Sequence, residues 1–215
     1  MRVLDLFAGT GSATKAFQDA GHEVIKVELD DYFEAHERDI LKLTSNNLIA
    51  KYGEFDFIWA SPPCTTFSVA SIRHYWTYEN GQAIPKNEKT LHGLALVKKT
   101  IELINQLNPK FGWVIENPRG MLRKQDVVKD LNRTTITYCQ YGAKNQKPTD
   151  LWHTLTNWIP RPMCKAGSTC HNSAKRGSDT GTQGMGGGGK HGAVKRSMIP
   201  YDLGKEILQS ITRNN

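Results

Sequence analysis

Apolar residues run through the first two thirds of the chain as short continuous blocks separated by longer periodic segments. Residues 2–7 (RVLDLF) predict a strand. Ser12 then caps a predicted helix that runs to about Ala20, with Gly21 as its stop. Residues 22–29 predict a second strand, ending in Glu28, and residues 55–61 a third, buried one. A helix over 90–107 places Leu94, Val97, Ile101 and Ile104 on one face. Residues 113–115 predict a strand that delivers Glu116 at its C-terminal end, and the β-branched run 134–138 predicts another. Such alternation predicts an α/β fold, a doubly wound and mostly parallel sheet with its ligands in the crevice at the strands' carboxyl ends. Beyond Trp158 the pattern is lost, and residues 181–192 read GTQGMGGGGKHG. Leu203, Ile207, Leu208 and Ile211 then mark an amphipathic helix that returns to the sheet.

A length of 215 residues suits one α/β domain with a sizeable core. We therefore expect a single domain over 1–215, with 154–193 as an irregular insert and 194–215 completing the main body. The net charge of +7 suits a polyanionic partner, because Lys and Arg displace counterions from phosphates. The Gly-rich stretch, flanked by Lys175, Arg176, Lys190, His191, Lys195 and Arg196, reads either as a loop that contacts nucleic acid or as a solvated linker. No run approaches the roughly 20 apolar residues that span a bilayer, and no leader-like segment opens the chain. The expectation is a reducing, cytoplasmic setting, in which four cysteines are catalytic, metal-bound or simply buried.

Two turns carry the candidate chemistry. In Phe7-Ala8-Gly9-Thr10-Gly11, two glycines between a strand and a helix let the backbone approach a ligand closely, and Phe7 offers a flat apolar surface. The third glycine of a dinucleotide turn and the Gly-Lys-Ser/Thr of a phosphate loop are both missing. Glu28 at the end of the second strand suits two ribose hydroxyls. The other turn, Ser61-Pro62-Pro63-Cys64-Thr65-Thr66-Phe67-Ser68, holds a thiol on a stiff bend at the end of a buried strand. Alone, Cys64 also reads as a small buried hydrophobe.

Together with Glu116-Asn117-Pro118, these segments resemble the DNA (cytosine-5) methyltransferase family, over about 1–158 and 194–213. The resemblance implies a class I, Rossmann-like fold that binds S-adenosylmethionine (SAM), with Cys64 as nucleophile and Glu116 as the acid that holds the base. It implies a cofactor pocket along Phe7 to Gly11, Glu28, Leu29, Asp39, Ile40, Pro62 and Ser197, with Asp39 accepting from the adenine amino group. On the substrate side, a cytosine flipped from DNA, it implies Ser61, Pro63, Phe67 and Ser68, then Asn117, Pro118 and Arg119, and finally Gln146, Lys147 and Lys190. Amino-methylating enzymes instead carry an aromatic at the position of Cys64.

Three departures stand out. Gln146-Lys147-Pro148-Thr149-Asp150 replaces the family's Gln-x-Arg-x-Arg, Arg196-Ser197-Met198-Ile199-Pro200 replaces Gly-Asn-Ala/Ser-Val-Pro, and the target-recognition region is reduced to the short insert. A compact, phage- or prophage-like enzyme of short or relaxed specificity is expected, of the kind found in restriction–modification. The same chemistry on RNA or a free nucleotide, and a catalytically silent binding module, stay open as alternatives. So does a metal: Cys139, Cys164, Cys170 and His171 read either as a Cys3His zinc site that staples the insert or as unremarkable cysteines and a surface histidine.

Overall fold

The computed structural model describes residues 1–165, 167–172 and 189–213. Its centre is a six-stranded sheet. Strands β1 (Arg2–Leu6), β2 (Glu23–Val27) and β3 (Phe57–Ala60) are followed, after two intervening strands, by β6 (Trp113–Pro118), β7 (Arg133–Thr137) and β8 (Pro148–His153). Across the sheet the order is β2-β1-β3-β6-β8-β7. The first four are mutually parallel, while β8 runs antiparallel to both β6 and β7. The intervening β4 (Trp76–Glu79) and β5 (Gln82–Pro85) form a separate antiparallel hairpin.

Alternate residues of each central strand enter two different cores, which is why these strands are apolar throughout rather than on one face. On one face Leu4, Ile25, Ile58 and Ile115 pack against Val97, Leu103 and Ile104 of α4 (Glu88–Leu107). On the other, Val3, Val24, Phe57 and Val114 meet Phe17 of α1 (Lys15–Asp19) and Leu203, Ile207 and Ile211 of α6 (Tyr201–Thr212). The remaining helices are α2 (Ser45–Tyr52), α3 (Ile72–Tyr75) and α5 (Gly189–Ser197). No helix among the described residues is long and apolar enough to cross a membrane.

Several expectations change. The first helix starts at Lys15, and Ser12 does not cap it; its Oγ accepts a hydrogen bond from the Ile199 amide at 2.9 Å and ties the first turn to the C-terminal segment. Of the face expected for α4, Val97 and Ile104 are buried while Leu94 and Ile101 are only partly so, and the buried stripe also takes in Gly93, Thr100, Leu103 and Leu107. Helix α2, the β4–β5 hairpin and β8 were not expected. Strand β8 opens with a proline and carries Asp150, which is fully buried because Arg123 grips it through two nitrogens and Thr135 donates to it at 2.7 Å.

Candidate active site

The parallel strands end together, and their trailing turns surround one cavity of about 1710 Å3. The β1 turn enters it through Phe7, whose φ of 62° is unusual for an aromatic residue, followed by Gly9 at 49° and Gly11 at 70°. This left-handed path brings the Gly9 amide 2.8 Å from Glu28 Oε2, while the Asp30 amide donates to Glu28 Oε1 at 3.0 Å. The carboxylate is thereby fixed at the cavity edge, each oxygen keeping a lone pair for a further donor. Beneath the turn, burial pushes the Asp5 carboxyl up to about 7 and Glu28 adds to the rise, against a 2.6 Å hydrogen bond from Thr14 Oγ1 and the charge of Lys26.

Cys64 is held from three sides. The Phe67 and Ser68 amides donate to its carbonyl at 3.0 and 2.8 Å, and Asn117 Nδ2 donates to the Pro62 carbonyl at 2.8 Å. The Met121 amide bonds the Phe67 carbonyl at 2.7 Å. Two glycines make room for this packing. A Cβ on Gly93 of α4 would lie 2.6 Å from Thr66 Oγ1, and one on Gly120 would lie 2.2 Å from the Phe67 carbonyl oxygen.

Burial pushes the Cys64 thiol above its ordinary pKa and the charge of Glu116 pushes it further, while Lys147 and Arg196 pull it down. Glu116 is buried on β6, and Tyr138 Oη donates to its Oε1 at 2.8 Å. Lys147 lies 4.5 Å from the Tyr138 ring centre and donates to the Arg196 carbonyl at 2.9 Å. A thiol, a carboxyl and two cations thus share one partly desolvated wall, an arrangement suited to nucleophilic attack on a planar ring.

Of the residues expected on the cofactor side, Phe7, Ala8, Gly9 and Thr10 line the cavity, as do Glu28, Leu29, Asp39, Ile40, Pro62 and Ser197. Asp39 also caps a short turn, its Oδ1 accepting from the Leu41 amide at 3.0 Å. Ser61, Pro63, Cys64, Ser68, Glu116, Pro118, Arg119 and Lys147 line the same space.

Four expected residues do not. Gly11 faces the Lys26 side chain, which a Cβ would strike at 2.8 Å. Phe67 is fully buried beside Trp76 and anchors the cysteine turn. Asn117 is spent on the Pro62 carbonyl, and its own Oδ1 has no partner among the described residues. Gln146 turns away to Cys164, donating to its carbonyl at 3.1 Å and to its Sγ at 3.3 Å. The Lys190 side chain lies outside the described residues, as do Lys175 and Arg176.

Sequence reasoning missed Tyr138, Arg38, Arg73 and His92, and named Arg196 in the insert's flank and in the 196–200 segment without giving it a site role; all but Tyr138 line the cavity. Tyr138 reads as one more aromatic at a strand end, and only folding brings its hydroxyl to Glu116. Apart from the cavity, Cys139, Cys164, Cys170 and His171 do come together, their ligand atoms all within 4.8 Å of one another.

Comparison with known proteins fits this geometry. A probable DNA (cytosine-5)-methyltransferase of Frog virus 3 is 30% identical over 203 residues, covering 91% of this chain and 92% of the viral protein. The type II methyltransferase M.FnuDI of Fusobacterium nucleatum is 28% identical over 141 residues, 61% of this chain but only 37% of its own length. Among solved structures, the Entamoeba histolytica methyltransferase EhMeth superposes with a TM-score of 0.51 over 75% of this chain and 55% of its own, at 11% identity, a likeness of fold alone. That fold is a mostly parallel α/β sheet with helices on both faces. The model of the C-5 cytosine-specific DNA methylases matches residues 1–142, and the chain belongs to that family.

Proposed function

We propose that the chain transfers a methyl group from SAM to carbon 5 of cytosine in DNA, through a covalent adduct on Cys64. The carrying observation is the convergence of Cys64, Glu116 and the Phe7–Gly9 turn on one cavity. The donor set fits SAM: the Phe7 turn offers an apolar surface, Glu28 a fixed acceptor for ribose hydroxyls and Asp39 an acceptor at the adenine end. When bound, SAM supplies an electrophilic methyl group. Cys64 Sγ forms a bond to C6 of the base, which makes C5 nucleophilic. Glu116, as the acid, hydrogen-bonds N3 and the exocyclic amine, and Tyr138 holds it there from behind. After C5 is methylated, water takes the C5 proton, the C5–H electron pair re-forms the C5=C6 double bond, and the Sγ–C6 pair returns to sulfur as the thiolate.

The substrate is a base flipped out of the duplex, which brings a planar ring into a cavity at the strand ends. Residues 154–193 stand in place of a target-recognition region, on a single methyltransferase domain closed by the C-terminal helix, so specificity is short or relaxed. A thiol nucleophile beside three further unpaired cysteines fits a reducing compartment such as the cytoplasm. A zinc ion on Cys139, Cys164, Cys170 and His171 completes the reading.

The test is transfer of label from methyl-tritiated SAM to unmethylated duplex DNA, with the product nucleosides separated and Cys64→Ala alongside. Label in 5-methylcytosine that disappears in the variant is expected. Label in another nucleoside, label that survives without Cys64, or transfer only to RNA or free nucleotides would overturn the reading.

A further inference from the structure

The cysteine and histidine cluster is assembled from two segments that β8 separates. Cys139 sits in the short turn Tyr138–Tyr141 directly after β7, whereas Cys164, Cys170 and His171 follow β8. Cys139 Sγ lies 3.7 Å from Cys170 Sγ and 3.1 Å from Cys164 Sγ, and His171 Nδ1 lies 3.5 Å from both Cys164 and Cys170. A tetrahedron with zinc–sulfur bonds of about 2.3 Å and a zinc–nitrogen bond of about 2.0 Å has edges of about 3.8 Å between sulfurs and 3.5 Å from sulfur to nitrogen. Three of the four separations fall within about 0.1 Å of those edges, and the fourth is much longer than the roughly 2.05 Å of a disulfide.

The donor set selects the ion. Three thiols and an imidazole are soft ligands, suited to zinc and poorly suited to magnesium or calcium. Four protein ligands fill a tetrahedral shell, as in structural sites, and leave no open position for catalysis. Two amides add outer support: Gln146 Nε2 lies 3.3 Å from Cys164 Sγ and Gln140 Nε2 lies 3.5 Å from Cys170 Sγ, both placed to donate to thiolates. The segment also needs such a staple. No described residue between 159 and 172 is buried, so this part of the insert has no core of its own.

The cluster lies directly behind the base-holding wall. Tyr138, the neighbour of Cys139, donates to Glu116. Lys147, the neighbour of Gln146, covers the Tyr138 ring. The Cys164 amide donates to Thr137 Oγ1 at 3.0 Å, joining the insert to the end of β7. We infer that Cys139, Cys164, Cys170 and His171 bind one structural zinc ion that fixes the Tyr138–Glu116 pair and Lys147 in place. The positioning half of this inference rests on the methyltransferase reading; the metal half does not. Tyr138 and the four ligands are then positioning residues, with no contact to the transferred group.

The experiment measures the metal content of the full chain purified under reducing conditions, then replaces the metal with cobalt. About one zinc per chain is expected, together with the ligand-field and thiolate charge-transfer bands of tetrahedral cobalt. A chain that neither carries zinc nor takes up zinc or cobalt, including one that has joined Cys139 to Cys164 as a disulfide under the same conditions, overturns the site while leaving methyl transfer intact. For the coupling, Cys170→Ser and Tyr138→Phe are assayed for kcat and for SAM affinity. Cys170→Ser is expected to lose zinc, and both to lower kcat by about tenfold or more with SAM affinity little changed. Tyr138→Phe keeps all four ligands, so it should retain the metal and separates loss of positioning from misfolding. Unchanged kcat in both overturns the coupling. Stoichiometric zinc in a wild-type chain that binds SAM but methylates no cytosine substrate overturns the catalytic reading and its positioning half alone.

Discussion

At the scale of single residues, the site works through opposed charges around a desolvated thiol. Because burial and Glu116 hold Cys64 protonated, its reactivity should rise with pH around a midpoint above the ordinary thiol value of about 8.5. Removing the negative neighbour, as in Glu116→Gln, should move that midpoint down, and Lys147→Met should move it up. Alkylation rates of the Cys64 peptide, followed by mass spectrometry from neutral to alkaline pH, read this directly; identical midpoints in all three proteins would refute the electrostatic account. Asp5 gives a second titration. Its folded value of about 7 lies above the unfolded 3.8, so the native state holds the extra proton between those limits. Stability conferred below about pH 4 is therefore lost as pH rises to about 7, by roughly 4 kcal/mol at most. Asp5→Asn should flatten that part of the stability curve, and urea midpoints that fall in parallel for the two proteins would show that Asp5 contributes none of the slope. Neither Asp5 nor Tyr138 was legible as part of the site, since each acts through a partner that only the fold supplies.

At the scale of elements, legibility followed the source of each element's stability. Strands β1, β3 and β6 are buried on both faces, so their apolar runs announce them. Strand β8 is buried as well, yet Asp150 and His153 interrupt the pattern, and Asp150 is tolerated only because Arg123 and Thr135 reach it from other parts of the chain. Helix α2 buries only Leu48 and leaves almost no periodic trace. The β4–β5 hairpin did carry a signal: Asn80-Gly81, with φ of 50° and 81°, is the pair that a tight hairpin turn demands. The cysteine turn was legible as a motif but not as a packed object. Gly120 is where that packing is tightest, and Gly120→Ala should force the Phe67 carbonyl to move or break its bond to Met121. A destabilisation of about 1–3 kcal/mol is expected, with methyl transfer falling more than SAM affinity. Equal losses in both would mean that the clash spreads through the fold rather than acting on the turn.

At the scale of the whole molecule, the crevice was readable because five of the six strands point the same way and their trailing turns converge. The division of charge around the cavity was not readable, because it depends on which residues from distant segments arrive together. Glu28, Asp30 and Asp39 line the cavity together with Arg38, which donates to the Glu28 and Asp30 carbonyls, while Arg73, Arg119, Lys147 and Arg196 reach the same cavity from four separate segments, Lys147 and Arg196 both drawing the Cys64 thiol down. On a chain of net charge +7, these cations favour phosphate at the cavity, as the proposed reaction on DNA requires. Binding to duplex DNA should accordingly weaken linearly on a log–log plot against salt, by about 0.9 for each phosphate engaged. Substituting Arg73 or Arg119 with Ala should reduce that slope by about 1 and weaken all DNA sequences alike, because phosphate contacts carry no sequence information. SAM affinity in the same variants should stay constant, since neither arginine is among the residues proposed to hold the cofactor. Titrations of wild type and both variants at three salt concentrations decide the matter. A slope that neither substitution changes would move the DNA path away from the mouth of the cavity, and the insert would have to carry it instead.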